Sequence, residues 1–228
     1  PYYDRSELVN SAIKTVVKVL IEGIILVIAI LFVFPLAVYL FFASGVNHFA
    51  KLPVLTQDIE EVAQYSEYQF KDRISILAFF GNNLEDKKTL ALNLNQMIYK
   101  RFYQFADFQF LIALPTGTEV AAEQLKAEIA GVTGTDMSRW NVLFLPEDQL
   151  QGLFGSLYLP LSLDQNLSSP YVFIVDRDGN LRGRDDDDFV GYDARSAADI
   201  NNNMVDDVKV ILAEYRLALK KYNQTRKR

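Results

Sequence analysis

The sequence contains no cysteine and one histidine among its 228 residues. Without cysteine the chain cannot form a disulfide, a thiolate nucleophile, a CxxC redox pair, or a sulfur-ligated zinc, copper or iron–sulfur site. A single histidine is too few for an imidazole-rich metal site or for most histidine proton relays. The composition therefore predicts a protein without a cofactor.

Basic residues are outnumbered, with 23 Lys and Arg against 29 Asp and Glu and a formal net charge of −6. Residues 49–219 hold 15 basic and 26 acidic residues, a balance of −11, whereas residues 220–228 carry +5. An acidic surface repels a phosphate backbone, so no nucleic-acid partner is expected. It would attract a cationic protein partner at long range, although acidity also serves solubility alone.

Charged residues are absent from Gly23 to Asn47, and Ile24 to Phe42 is apolar throughout, with Pro35 as the only helix breaker. A bilayer core needs about 20 such residues as helix, whereas a signal-peptide core has roughly 7 to 15. The run predicts a transmembrane helix. An apolar stripe that starts near Ser6 extends this helix into the headgroup region.

The charges that flank the span predict its orientation. Arg5, Lys14 and Lys18 precede it and Lys51 follows it, which favours a cytoplasmic N-terminus. The rest of the chain then faces the periplasm, in a bacterial inner membrane or an equivalent energy-transducing membrane.

Two polar residues at the ends of the span are candidate interaction sites. Glu22 either reaches the headgroups or pairs with a partner subunit, and His48 is placed for a headgroup or subunit contact. The expected partners are thus the lipid bilayer and other membrane-protein subunits.

Five segments are expected along the chain. They are a cytoplasmic or interfacial helix start at 1–22, a transmembrane helix at 23–47, a linker at 48–69, a globular domain at 70–219 and a basic tail at 220–228. The tail either lies on anionic lipid or an acidic neighbour, or is a solvated end.

Apolar runs and turn signals predict the elements of the domain. They are a buried strand at 73–80, a helix at 85–104, a strand at 108–114, a helix at 118–130 stopped by Gly131, a strand at 142–145, a hairpin of 171–176 with 180–184, and a helix at 203–222. A βαβ half followed by a ββα half predicts an α/β, thioredoxin-like domain with a central mixed sheet and helices on both faces.

Four stretches resemble the membrane-anchored Sco copper chaperones. They are the single N-terminal span, the strand ILAFF, the segment MSRWNVLFLPEDQL, and YVFIVDRDGNLRG followed by an acidic loop and a helix containing DDVKVILAEY. The likeness covers most of residues 70–215. It implies a copper site made by two cysteines, four positions apart in the loop after the first strand, and by a histidine before the hairpin.

This chain departs from that pattern at all three ligand positions. The loop reads GNNLEDKK, with Asn82 next to the first cysteine position at Asn83, and Lys87 at the second; Ser168 falls at the histidine position. Amide, ammonium and hydroxyl groups cannot replace two thiolates and an imidazole for a soft copper ion. Thioredoxins, disulfide isomerases and peroxiredoxins also act through a cysteine in this loop, so the resemblance implies a degenerate site.

Pro170 looks like the cis-proline turn of the superfamily. That turn helps to hold extended peptides beside the loop, but folding alone can explain it. The acidic run Asp185, Asp186, Asp187 and Asp188 is open to three interpretations: a solvated loop, a docking surface for a basic partner, or a calcium site that lacks EF-hand spacing.

These features predict a protein that is not an enzyme. The domain is expected to act as a protein-binding or structural module, in an accessory subunit or assembly factor of a membrane complex, with a respiratory complex implied by the resemblance alone. The alternative is a carrier or sensor that binds a peptide or small ligand through the remodelled loop.

Overall fold

The computed structural model describes residues 5–44, 51–184 and 191–225. The chain divides into two compact units, Pro1–His48 and Phe49–Arg228. Each unit has its own architecture.

The N-terminal unit is helical throughout its described part. Helix α1 (Arg5–Ile28) passes through a π-helical turn (Ala29–Val33) into α2 (Phe34–Ser44). Pro35 is the second residue of α2, so the carbonyl four residues before it lies within that turn. Proline lacks an N–H and its ring crowds this carbonyl, which a local π bulge accommodates. The helix is long and apolar enough to cross a membrane, and none of its described side chains is buried.

Seven strands form one sheet in the described part of the globular unit. In chain order they are β1 (Val54–Thr56), β2 (Ile74–Phe80), β3 (Phe108–Pro115), β4 (Trp140–Leu145), β5 (Ser168–Val175), β6 (Leu181–Arg182) and β7 (Tyr192–Asp193). Their spatial order is β1-β6-β5-β2-β3-β4, and β7 pairs with β5. Strands β2, β3 and β4 are parallel, whereas β5 runs antiparallel to β2, so the expected mixed sheet is confirmed.

The helices of this unit follow the strands β2, β3, β4 and β7 along the chain. They are α3 (Lys88–Leu94), α4 (Lys100–Phe102), α5 (Glu119–Thr133), α6 (Glu147–Gly155), α7 (Ala197–Asp199) and α8 (Val205–Thr225). π-Helical turns connect α3 to α4 and α7 to α8. Helix α5 ends at Gly134, which has a φ of 61°, and not at Gly131, because the left-handed position that stops a helix lies three residues later.

The apolar side chains of β2 alternate between two cores. Ile76 and Ala78 face a core shared with α3, α5 and α8, whereas Leu77 and Phe79 face a second core shared with α6. Every residue of β2 and β3 is buried, which explains their continuous apolar sequence. Helices therefore cover both faces of the sheet, as expected.

Residues 51–69, within the segment predicted as a linker at 48–69, form part of the globular unit. They contribute β1, and Ile59 and Val62 are buried in the second core. The Glu61 carboxylate also accepts hydrogen bonds from the backbone N–H groups of Phe70 (2.8 Å) and Lys71 (3.1 Å). The short strand has no sequence signal because its partner β6 has two residues and comes from the other end of the domain.

A buried ionic network attaches this segment to the domain. Arg182 contacts Asp176 (Nη1 to Oδ2, 2.9 Å) and Glu214 (Nη2 to Oε2, 2.9 Å). Arg182 also donates from Nε to the carbonyl of Leu52 (2.9 Å), whose N–H donates to Glu214 Oε1 (2.9 Å). Both backbone groups of Leu52 are thus held by side chains of β6 and α8.

Candidate functional site

The candidate site lies where the chain leaves β2 and meets the turn before β5. Gly81 adopts a φ of +70°, and a Cβ there would lie 2.1 Å from the carbonyl oxygen of Asn166. The next residue, Asn82, donates its N–H to that same carbonyl (2.8 Å). Only glycine permits this approach, which brings the GNNLEDKK loop against residues 164–168.

A hydrogen-bonded network joins the two segments. Lys87 Nζ donates to Ser168 Oγ (2.8 Å), and Ser168 Oγ donates to Asp164 Oδ2 (2.7 Å). The other Asp164 oxygen, Oδ1, accepts the N–H groups of Asn166 and Ser168, both at 2.9 Å. Ser168 is 1% exposed. Its buried hydroxyl therefore connects the Lys87 ammonium to the Asp164 carboxylate.

The pKa of Asp164 reflects this arrangement. Partial burial alone would raise it, but the hydrogen bonds from Ser168 and Asn166, together with the positive charge of Lys87, hold the pKa of the Asp164 carboxyl below its usual range. The network is therefore most stable with Asp164 ionised.

The hydrogen bonds of the network link the two segments. A nucleophilic serine needs an accessible oxygen and a neighbouring base that takes its proton. Ser168 Oγ is buried, donates to an ionised carboxylate and accepts from an ammonium group. Its hydrogen-bonding capacity is thus used in joining the two segments.

The structure brings together two of the predicted degenerate positions, Lys87 and Ser168. Asn82 and Asn83 lie on the same loop but are exposed, and Asn83 Nδ2 donates to Asp86 Oδ2 (2.6 Å) within the loop. The Asn83 amide thus orders the turn that precedes α3.

Pro170 corrects one expectation, because it does not form a cis-proline turn. The peptide bond before it is trans, and the residue lies inside β5. The register between β2 and β5 shifts between Ala78 and Phe80, opposite this proline. A proline has no N–H for the ladder, so an irregularity at that point is the place where a strand accommodates it.

The donor set does not fit the copper ion that the resemblance implies. Amide, ammonium and hydroxyl groups at Asn83, Lys87 and Ser168 are hard or cationic, and all three side chains already form hydrogen bonds within the fold. Within residues 5–44, 51–184 and 191–225, no group of three or more His, Asp or Glu side chains is placed to hold a metal ion.

An open groove of about 330 Å³ adjoins the network. Its apolar lining includes Phe154, Leu161, Leu163 and Leu167, and Asp164 stands at its edge. Leu167 has a positive φ of 58°, an uncommon value for a leucine, in the turn that presents Ser168 to Asp164. The groove and the network thus share one turn.

The remaining predicted positions are Glu22, His48 and the acidic run Asp185 to Asp188. Glu22 forms an ion pair with Lys18 on its own helix (3.9 Å), between largely exposed side chains. His48 and the acidic run Asp185 to Asp188 lie outside the described residues. Arg184 and Tyr192, on either side of that run, both bind the carboxylate of Asp207 in α8 at 2.9 Å and 2.8 Å.

Sequence reasoning missed Asp164, Asn166 and Gly81. The segment DQNLSS carried a usable signal, because an aspartate that accepts the N–H two residues later forms a common turn. Gly81 has no such local signal, since its close contact depends on a segment far along the chain.

The sheet order and the helices on both faces define a thioredoxin-like domain, in a chain whose N-terminal helix is a candidate membrane span. No protein-family model and no curated protein sequence matches the chain.

Solved structures resemble the chain at low sequence identity. BsSco, a member of the Sco family of cytochrome c oxidase assembly proteins, is 11% identical, with 70% of this chain and 94% of that chain covered and a TM-score of 0.48. A SCO1/SenC family lipoprotein from Bacillus anthracis is 17% identical, with 74% and 99% covered and a TM-score of 0.47. A putative protein disulfide isomerase from Bacteroides thetaiotaomicron is 12% identical, with 72% and 95% covered and a TM-score of 0.45. Two of these three structures are of Sco-family proteins, the family that the sequence was expected to resemble.

Proposed function

We propose that this protein is a membrane-anchored binding or structural module, an accessory subunit or assembly factor of a membrane complex, and not an enzyme. The observation that carries the proposal is the Lys87–Ser168–Asp164 network at the edge of the sheet where the resemblance places a thiol and copper site.

The network supports a binding role because its polar groups satisfy one another. A continuous chain of hydrogen bonds runs from the Lys87 ammonium through the Ser168 hydroxyl to the Asp164 carboxylate. Gly81 allows the two segments to lie in contact. These contacts hold the loop and the turn in one arrangement. The chain has no cysteine with which to carry out thiol chemistry.

The candidate membrane helix supports anchoring, and the flanking basic residues support a cytoplasmic N-terminus. The domain would then lie in the periplasm of a bacterial inner membrane or an equivalent membrane. Membership of a respiratory complex rests on the sequence resemblance and stays a prediction.

Isolation of the full chain from its native membrane tests the proposal. The tagged chain is solubilised in mild detergent after cross-linking, and co-purifying proteins are quantified against an unrelated tagged single-pass protein. We expect membrane proteins in constant ratio to the chain. A chain that elutes alone would refute the subunit hypothesis, and one copper ion per chain in elemental analysis would refute the inference about the degenerate site.

A second candidate function is supported by the groove beside Asp164. Its volume of about 330 Å³ and its leucine and phenylalanine lining suit an apolar side chain of a peptide or a small ligand. Here the domain would be a carrier or sensor.

Two sets of substitutions separate the candidates. Leu163→Glu places a charge in the groove, and joint substitution of Asn82, Asn83 and Lys87 by alanine alters the loop. Both should abolish function in a carrier, whereas complex formation should tolerate them if binding occurs elsewhere on the domain. Gln165→Glu, which adds the same charge at an exposed position of the same segment outside the groove lining, is the matched control.

A further inference from the structure

A polar cleft of about 460 Å³ lies at the N-terminal ends of the parallel strands, opposite the ends where the Lys87–Ser168–Asp164 network lies. Arg73, Phe108 and Arg139, which line it, come at the N-terminal ends of the parallel strands β2, β3 and β4. The network lies beyond the other end of β2. At about 3.3 Å per residue, the two sites are roughly 20 Å apart along that strand.

Two guanidinium groups converge in this cleft. Arg73 Nη1 donates to the carbonyl oxygen of Ala106 (2.9 Å), and Arg139 Nη1 donates to the same oxygen. Arg139 Nη1 also reaches the carbonyls of Phe105 (3.0 Å) and Phe108 (3.3 Å). These contacts hold both positive charges in place, close together and each only partly buried.

Neither arginine has a carboxylate partner within ion-pair distance in the described part of the chain. In contrast, Arg177, Arg182 and Arg195 each pair with at least one Asp or Glu. Two adjacent like charges without a counter-ion repel each other, and a bound anion would relieve that repulsion. The absence of an internal partner is notable in a domain that carries 26 acidic residues over 49–219.

The floor of the cleft is polar and uncharged. Gln109 Nε2 donates to Ser75 Oγ (2.9 Å), and Asn141 Nδ2 donates to Gln109 Oε1 (3.2 Å), which gives a ladder of polar groups across β2, β3 and β4. Glu67 is the only carboxylate residue among those that line the cleft. Two fixed guanidinium groups above a neutral floor match a small ligand that carries oxygen anions.

We propose that this cleft binds a small freely diffusing oxyanion, a carboxylate or a phosphate, through Arg73 and Arg139. The site is independent of the role proposed above for the Lys87–Ser168–Asp164 network.

Binding can be measured on the full chain in detergent, in a buffer free of phosphate and carboxylates. Citrate and inorganic phosphate are the two probes, and their comparison distinguishes carboxylate from phosphate recognition. Isothermal titration calorimetry gives the Kd and the stoichiometry.

We expect saturable binding of at least one probe, with one site per chain. Arg73→Gln, which leaves the three carbonyl contacts of Arg139 in place, should raise the Kd by about tenfold or more. Arg73→Lys should raise the Kd less. Arg195→Gln removes an exposed arginine that is paired with Asp193, and should leave Kd unchanged. The proposal is overturned if neither probe saturates by about 10 mM, or if Arg73→Gln and Arg195→Gln weaken binding equally.

Discussion

Lys87 and Ser168 are 81 residues apart in the sequence, yet a hydrogen bond of 2.8 Å joins the ammonium group of one to the hydroxyl of the other. The bond ties the loop after β2 to the start of β5. These are two of the positions at which the sequence resemblance expects copper ligands, and in this chain their side chains link two segments.

The first prediction concerns Ser168→Ala. The change removes the hydroxyl that serves both Lys87 and Asp164, and we expect the free energy of unfolding to fall by about 1 to 2 kcal/mol in urea titrations. Ser162→Ala, at an exposed position nearby, should change it by less than about 0.5 kcal/mol.

A double-mutant cycle adds a stricter test of the same link. Lys87→Met, Ser168→Ala and the double variant should show a coupling energy of about 0.5 kcal/mol or more, because each single change removes the same bond. Strict additivity would mean that the bond contributes nothing to stability.

Gly81→Ala is the second prediction. An alanine here is strained at a φ of +70°, and its Cβ would collide with the Asn166 carbonyl. A left-handed residue costs about 1 to 2 kcal/mol and overpacking about 1 to 3, so we expect a loss of roughly 2 to 5 kcal/mol in thermal or urea unfolding.

Gly155→Ala is the matched control. No atom lies within 4 Å of a Cβ at Gly155, which is the last residue of α6. The substitution should be neutral or slightly stabilising. Equal losses at the two glycines would show that the close approach of Gly81 to Asn166 is not important.

The central strands could be predicted well because a feature of the local sequence, a continuous run of apolar residues, marks them. β2 and β3 are buried on both faces, and such strands are recognisable as continuous apolar runs. β1 and β7, with three and two residues, have no such pattern and form through pairing with distant strands. Pro170 was misassigned because a proline in a strand irregularity and one in a turn have the same local sequence.

The candidate site contains two residues that the sequence singled out and others that it did not. The family pattern singled out Lys87 and Ser168. It also showed that they stand where the family has a cysteine and a histidine. Asp164, which completes the network, has no counterpart in that pattern. Its role follows from a turn that brings one carboxylate to two backbone N–H groups and a hydroxyl.

Arg182→Met is the third prediction. The change leaves the carboxylates of Asp176 and Glu214, which are 3% and 17% exposed, without their cationic partner. Removing one member of a buried ionic group costs about 3 to 5 kcal/mol, and we expect a loss of that order in urea unfolding. Leu52 would also lose its side-chain contact with Arg182, so limited proteolysis near residue 52 should become faster.

Two further variants test the cause of that loss. Arg195→Gln breaks an exposed ion pair and should cost less than about 1 kcal/mol. Adding Asp176→Asn and Glu214→Gln to Arg182→Met removes the uncompensated charges and should recover part of the stability. No recovery would indicate that the packing of Arg182, and not its charge, is what matters.

The fourth prediction concerns pH and the Asp164 carboxyl. Because hydrogen bonds and the charge of Lys87 hold its pKa below the usual range in the folded state, the ionised form stabilises the fold. This contribution is fully present above the unfolded pKa of about 3.9 and is lost as the pH falls through the lower folded value. Urea unfolding of the parent chain and of Asp164→Asn should therefore show a constant stability difference from about pH 5 to 7 that shrinks below about pH 4. Glu123→Gln, at an exposed position on α5, provides the baseline for loss of one acidic charge. A difference that does not shrink as the pH falls below about 3.9 would contradict the assignment, because the unfolded state then binds the proton more readily than the folded state.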